Sequence, residues 1–126
     1  MIALLTNYHQ SPRKVGLVAS LIRGKSVTAA RAALLYLPKK SSPAIAKLLD
    51  SAVANARSAG KDVADLFVKT ITVDKGGVMR RTRPFARGRA GSIRKTMSIV
   101  FIELGTNVPA KPAKAPRAKK VKAETK

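Results

Sequence analysis

The side chains best placed to do chemistry are eight cations in one stretch: Lys75, Arg80, Arg81, Arg83, Arg87, Arg89, Arg94 and Lys95, with no acid among them. Six of these eight are arginine. A guanidinium binds phosphate through planar, bidentate hydrogen bonds and stacks on bases, so this composition points to a nucleic-acid partner. The bland alternative is a surface loop kept soluble by its charge. Soluble loops mix signs of charge, however, and this one does not. Irregular loops beyond about 12–15 residues are also uncommon in compact domains unless they are functional or disordered. Gly76, Gly77, Pro84, Gly88 and Gly91 punctuate the segment, and Phe85 stands amid its arginines.

Catalysis finds far less support. His9 is the only histidine, and the six acids are scattered along the chain. A Ser-His-Asp arrangement needs an acid held beside the histidine, and nothing in the sequence brings Asp50, Asp62, Asp65 or Asp74 to His9. A metal site on His9 would need carboxylates from elsewhere, and there is no cysteine to supply thiolates. His9 therefore reads as a polar or RNA-facing surface residue. Gly24-Lys25-Ser26 looks like the end of a phosphate-binding loop, but Ala19 stands where that motif needs its first glycine. Gly88-Arg89-Ala90-Gly91 fits the G-x-x-G clamp of KH domains, yet that clamp joins two helices and this one sits in a hairpin pattern. No catalytic residue, metal, cofactor or small-molecule substrate is expected.

The chain outside this stretch is basic as well. Lysine and arginine number 26 against 6 acids in 126 residues, a net charge of +20. Self-repulsion of that size opposes compaction unless a polyanion neutralises it. The length fits one domain with appendages. Apolar residues make up 45% but aromatics only 4%, so the core must come from Ala, Leu, Ile and Val, which suits helices packed closely on a small sheet. Ile2 to Leu5 is too short for a signal-peptide core. No run nears the roughly 20 apolar residues that span a bilayer. The sequence therefore predicts a soluble intracellular protein with no membrane partner, and the lack of cysteine agrees with a reducing compartment.

Elements that could position the basic segment are visible on both sides of it. Ile2 to Tyr8 reads as a short strand or extended arm. Ser11-Pro12 opens a first helix, a Ser cap with Pro at the first helical position. Val15, Val18, Leu21 and Ile22 recur on it at helical spacing, and Gly24 stops it. Arg13 and Lys14 fall in its first turn, where cations oppose the helix dipole; stability does not explain them, and a ligand would. A second helix runs from a Ser26 cap to Leu37 and ends at Pro38, with Lys39 and Lys40 in the turn. The third opens on Ser42-Pro43 and carries Ile45, Leu48, Leu49, Ala52, Val53 and Ala56, the firmest helical periodicity in the chain. Leu66–Asp74 and Thr96–Leu104 are rich in Val, Ile, Thr and Phe and read as strands. If they continue into the basic segment, half of it reaches roughly 30 Å beyond any core. Tyr8, Tyr36, Phe67 and Phe101 read as core or local packing. From residue 105 to 126 the chain is a basic Pro-Ala-Lys tail, expected to be disordered; it reads as a polyanion tether or a solubilising extension, and its excess of basic residues favours the tether.

Several blocks resemble one family. Ser11 to Ser26 (SPRKVGLVASLIRGKS) is similar to the opening of bacterial large-subunit ribosomal protein twenty-two. Ser51 to Ala56 (SAVANA), the following LFVK and VDKG, and Met79 to Ala90 (MRRTRPFARGRA) match it in family order, as does the return strand from Ile93. The resemblance covers about residues 5 to 104. It implies an α+β fold, three helices on a small three-stranded antiparallel sheet, with a long hairpin projecting from a domain over residues 1–104. It also implies a structural, non-enzymatic part of the large ribosomal subunit, a cytoplasmic ribonucleoprotein component of translation. Its partners would be large-subunit ribosomal RNA, neighbouring ribosomal proteins and the nascent polypeptide in the exit tunnel. RNA contacts are then expected from Ser11, Arg13, Lys14, Arg23 and Lys25 on and after the first helix, and from Lys39 and Lys40. Further contacts fall on Lys75, Arg80, Arg81, Arg83, Arg87, Arg89, Arg94 and Lys95, and the tunnel wall on Arg83, Pro84, Phe85, Ala86, Arg87 and Gly88. The chain departs from the family pattern at Gly16, near Ser20, and at Ile99, where the family has histidine. A free regulator of RNA is the alternative; it would bind a short RNA on its own with a high specificity ratio.

Overall fold

Ile45, Leu48, Leu49, Ala52, Val53 and Ala56 form one stripe of a helix, α3 (Ser42–Ser58), and all six are buried in the computed structural model, which describes residues 1–106. The same rule builds α1 (Pro12–Ile22), whose inward stripe is Val15, Val18, Ala19 and Ile22, and α2 (Val27–Tyr36), which buries Val27, Ala30 and Leu34. Leu21, read from the sequence as part of the α1 stripe, lies outside it and is 38% exposed; the tighter i, i+3, i+4, i+7 set takes Ala19 instead. Alanines along these stripes let the helices approach closely.

The helices pack against a three-stranded antiparallel sheet of β1 (Ile2–Tyr8), β2 (Phe67–Pro84) and β3 (Ala90–Gly105), in the order β1-β3-β2. Ser98, Val100, Ile102 and Leu104 of β3 point inward with Ala3, Val68 and Ile71, while Ile2 and Leu4 face away at 54% and 57% exposure. Fully burying a Leu, Ile or Val side chain contributes about 1.5–3 kcal/mol, and fifteen of the twenty buried core residues are of these types, the other five being alanine. The architecture is the α+β fold with a long hairpin that the family resemblance implied.

Helix starts differ in detail from the sequence reading. Ser26 caps α2 as expected, its Oγ accepting from the Ala29 amide at 3.4 Å. Ser11 stands at the N-cap of α1 but its side chain makes no cap; its carbonyl takes the Lys14 amide at 3.0 Å. In α3 the N-cap is Ser41, and Ser42 and Pro43 are the first helical residues; both serines are buried. Tyr36 is a further correction. It is 83% exposed at the end of α2 rather than packed, because the buried stripe of that helix passes through Leu34. Of the tail expected over 105–126, residues 107–126 lie outside the described residues.

Candidate nucleic-acid interface

A strand needs a partner, and β2 and β3 keep pairing long after the core has ended. Their ladder runs from Phe67↔Gly105 to Pro84↔Ala90, so the strands continue through nearly all of the acid-free segment. The departure from the domain is marked by a bulge. Between Lys75↔Ser98 and Val78↔Thr96, Gly76 and Gly77 stand opposite Met97 alone. A bulge bends and twists a ladder, and Gly76 is confined there: a Cβ on it would stand 3.3 Å from the Ile99 side chain and 3.4 Å from the Met97 carbonyl. The stretch from Lys75 to Pro84 extends the arm by roughly 30 Å.

Along the arm the side chains alternate between two faces. One face presents the pairs Val78↔Thr96, Arg80↔Arg94 and Thr82↔Ser92; the other presents Met79↔Lys95, Arg81↔Ile93 and Arg83↔Gly91. Both faces therefore carry arginine. Arg80 and Arg94 are directly opposite each other, an arrangement of like charges that destabilises a bare hairpin. Residues 79–90 are all exposed. At the end, the Phe85 amide donates to the Arg89 carbonyl at 2.7 Å, and Arg87 and Gly88 turn the chain with φ of 59° and 68°. Arg87 holds this left-handed conformation without being glycine, at a cost of about 1–2 kcal/mol.

At the root of the arm, side chains distant in sequence meet. Tyr8 pairs with Ser98, and Ser98 in turn with Lys75. The buried Ser98 hydroxyl donates to the Gln10 carbonyl at 2.9 Å, which fixes the entry to α1 and so the position of Ser11, Arg13 and Lys14 beside the arm. The Tyr8 hydroxyl donates to the Lys40 carbonyl at 3.2 Å and brings the Lys39–Lys40 turn to the same end. Burial pushes the Tyr8 phenol up, so it stays a neutral donor at physiological pH. His9 is exposed beside Met79, Lys95, Thr96 and Met97 in a cleft of about 180 Å³.

Arg23 and Lys25 do not join this cluster. They close the opposite end of α1, where the Gly24 amide bonds the Val68 carbonyl at 3.0 Å, and Arg23 Nη2 donates to the Ile71 carbonyl at 3.0 Å. Among the described residues, Arg31 and Lys69 are the cations with carboxylate partners, Asp50 at 3.5 Å and Glu103 at 2.8 Å. The described cations of the arm and its root have none. Among the described residues, too, no group of three or more His, Cys, Asp or Glu could hold a metal, and no helix is long and apolar enough to cross a membrane.

The sequence that builds this small α+β domain and its two-faced basic arm has relatives among known proteins. The family model described as ribosomal protein L22p/L17e matches residues 3–105. The chain belongs to that family. The large ribosomal subunit protein uL22 of Herpetosiphon aurantiacus is 48% identical over 101 residues, covering 79% of the chain and 89% of the relative. The protein of the same name from Pelobacter propionicus is 48% identical over 103 residues, covering 81% and 93%. That of Heliobacterium modesticaldum is 50% identical over 106 residues, covering 83% and 75%. Members of the L22p/L17e family are structural proteins and not enzymes, which agrees with the scattered acids and lone histidine of this chain. The L22p/L17e match spans the residues of the whole arm.

Proposed function

We propose that the chain is a structural constituent of the large ribosomal subunit that binds its ribosomal RNA through the arm and the basic cluster at the arm's root. The single observation that carries this reading is the paired arm with arginine on both faces and no acid. Such an arm has no core to hold it and repels itself, so a polyanion on both sides is what stabilises it. RNA phosphates supply that charge, and contacts of this kind fix position without reading sequence. Ser11, Arg13, Lys14, Lys39 and Lys40 then hold the RNA beside Lys75 and Lys95, while Arg80, Arg81, Arg83, Arg89 and Arg94 line an enclosed channel. Arg23 spends one guanidinium donor on Ile71, and its remaining donors meet RNA with Lys25 on the far side of the domain. Segments of RNA distant in sequence are thereby clamped together, which aids folding and assembly. Neighbouring ribosomal proteins complete the surroundings, and the turn from Arg83 to Gly88 lines the nascent-polypeptide tunnel.

Fractionation tests this reading. The chain should cosediment with large subunits through a high-salt gradient. Release into the free fraction at moderate salt, with tight binding to a short RNA alone, would favour a free regulator instead. For the tunnel contact, crosslinking from positions 83–88 to a radiolabelled nascent chain in translating ribosomes is the direct measurement.

A further inference from the structure

The charge of the arm leaves one residue unexplained. Phe85 is 58% exposed at the far end of the hairpin, where no protein core exists to take an aromatic ring. It is nevertheless not loose. A Cβ on Gly91 would overlap Cε2 of the Phe85 ring and would stand 2.8 and 3.0 Å from Cζ and Cδ2. Gly91 pairs with Arg83 across the ladder, so the ring is seated against the last rungs of the arm at a place where any side chain would expel it. The three distances also give the direction of approach. A contact through the ring face would bring both flanking atoms much nearer than an approach along the ring plane, and they are not near. The ring therefore meets Gly91 by its edge, and more than half of the residue's surface stays exposed. The Phe85 amide is tied to the Arg89 carbonyl at 2.7 Å, which fixes the backbone that carries the ring.

We infer that Phe85 is a preorganised stacking platform for an unpaired RNA base. An aromatic ring held by its edge has already lost the rotamer freedom that binding would otherwise cost. Its π-face takes any base, so the contact needs no reading of a base's hydrogen-bonding edge. Arg83, Arg87 and Arg89 surround it without an acid, so the phosphates on either side of the stacked base meet guanidinium groups. Single-stranded loops and bulges offer such bases; paired RNA does not. The inference rests on the reading that the arm meets RNA, and it adds that one contact at the tip is made by a base rather than by phosphate.

The chain contains no tryptophan, so Phe85→Trp places a single indole at the tip. On titration with protein-free large-subunit ribosomal RNA, that indole should lose at least half its emission and become shielded from iodide. Adding Gly91→Ala should abolish most of this quenching and weaken affinity as loss of the ring does, while leaving the salt dependence of binding in place. Phe85→Leu should weaken affinity by roughly 5- to 150-fold, the range for one base–aromatic stack, and Phe85→Tyr should not. RNA retained on filters with a bright, iodide-accessible indole and an unaffected Phe85→Leu variant would overturn the inference while sparing the wider reading. No retention of the parent chain would sink both. A benzophenone amino acid at position 85 that crosslinks nascent peptide and never RNA would reassign the ring to the polypeptide.

Discussion

Arg80 and Arg94 face each other across the arm, and neutralising them should move two quantities in opposite directions. In Arg80→Gln/Arg94→Gln the side chains stay polar and extended while the two charges go. Directly opposed like charges on a strand pair cost about 0.2–1 kcal/mol, so the bare arm should be stabilised by that amount. Amides beside the pair, at Thr82 and Ser92, should then rise roughly 1.5- to 5-fold in hydrogen-exchange protection in the free chain. Binding to RNA should weaken. With two fewer cations to displace counterions from phosphate, the slope of log affinity against log salt should flatten by about 1.4–1.8 in total. Over a fourfold change in salt, that is about threefold in affinity for each arginine. Filter binding across a salt series, together with exchange measured on the free protein, gives both numbers. If the double variant kept the parent's salt slope, or lowered protection of the arm, the two arginines would be structural and the argument from their opposition would fail.

Other positions give further tests. Arg81→Glu and Arg87→Glu should each weaken RNA binding well beyond Lys47→Glu, whose side chain projects from α3; equal effects in a filter-binding comparison would remove the arm from the interface. In the free chain the amides of α3 should be the slowest to exchange and those of residues 78–92 among the fastest, because the arm buries almost no apolar surface; strong protection at the tip without RNA would contradict this. Leu49→Ala, at a fully buried site, should cost about 2–5 kcal/mol in urea denaturation. Deleting Met79–Arg81 should leave the yield of large subunits near normal and alter nascent-chain stalling and inhibition by drugs that lodge in the tunnel, measured by ribosome profiling and drug titration. These residues pair with Lys95, Arg94 and Ile93 on the arm, so removing them draws the tip inward and reverses the faces of the residues that follow.

Helix α3 was legible because burial repeats along it with the helical period, and six side chains of the right type recorded that repeat. The strands were legible only as far as their inner faces are covered, to about Asp74 on one side and from Thr96 on the other. Beyond those points the arm is exposed on both faces, so the period-two signal has nothing to write it, although the backbone pairing continues to Pro84 and Ala90. The charge of the arm could be read; its two-sided display could not. Nor could the meeting of α1, the α2–α3 turn and the arm's root, which depends on Ser98 reaching Gln10 and Tyr8 reaching Lys40 across long stretches of chain. The seat of Phe85 on Gly91 was hidden for a related reason. Glycine in a basic, glycine-rich segment suggests a turn, but Gly91 is a ladder residue whose missing side chain makes room for a ring.

The central place of β3 has a mechanical consequence. One unbroken strand of 16 residues runs from the end of the arm into the middle of the sheet, with β1 on one side and β2 on the other. A pull on the tip along the arm's axis draws on β2 and β3 together, and β3 passes the load to β1 through the ladder from Tyr8↔Ser98 to Ile2↔Glu103. Antiparallel hydrogen bonds lie across the strand direction, so such a load shears many of them at once instead of opening them one after another. The Gly76–Gly77 bulge lies in the neighbouring strand β2. Bending can thus be taken up at the bulge in β2 while β3 runs unbroken into the sheet. The domain anchors its arm as a tenon anchors a beam: compliant sideways at the joint, and resistant to withdrawal.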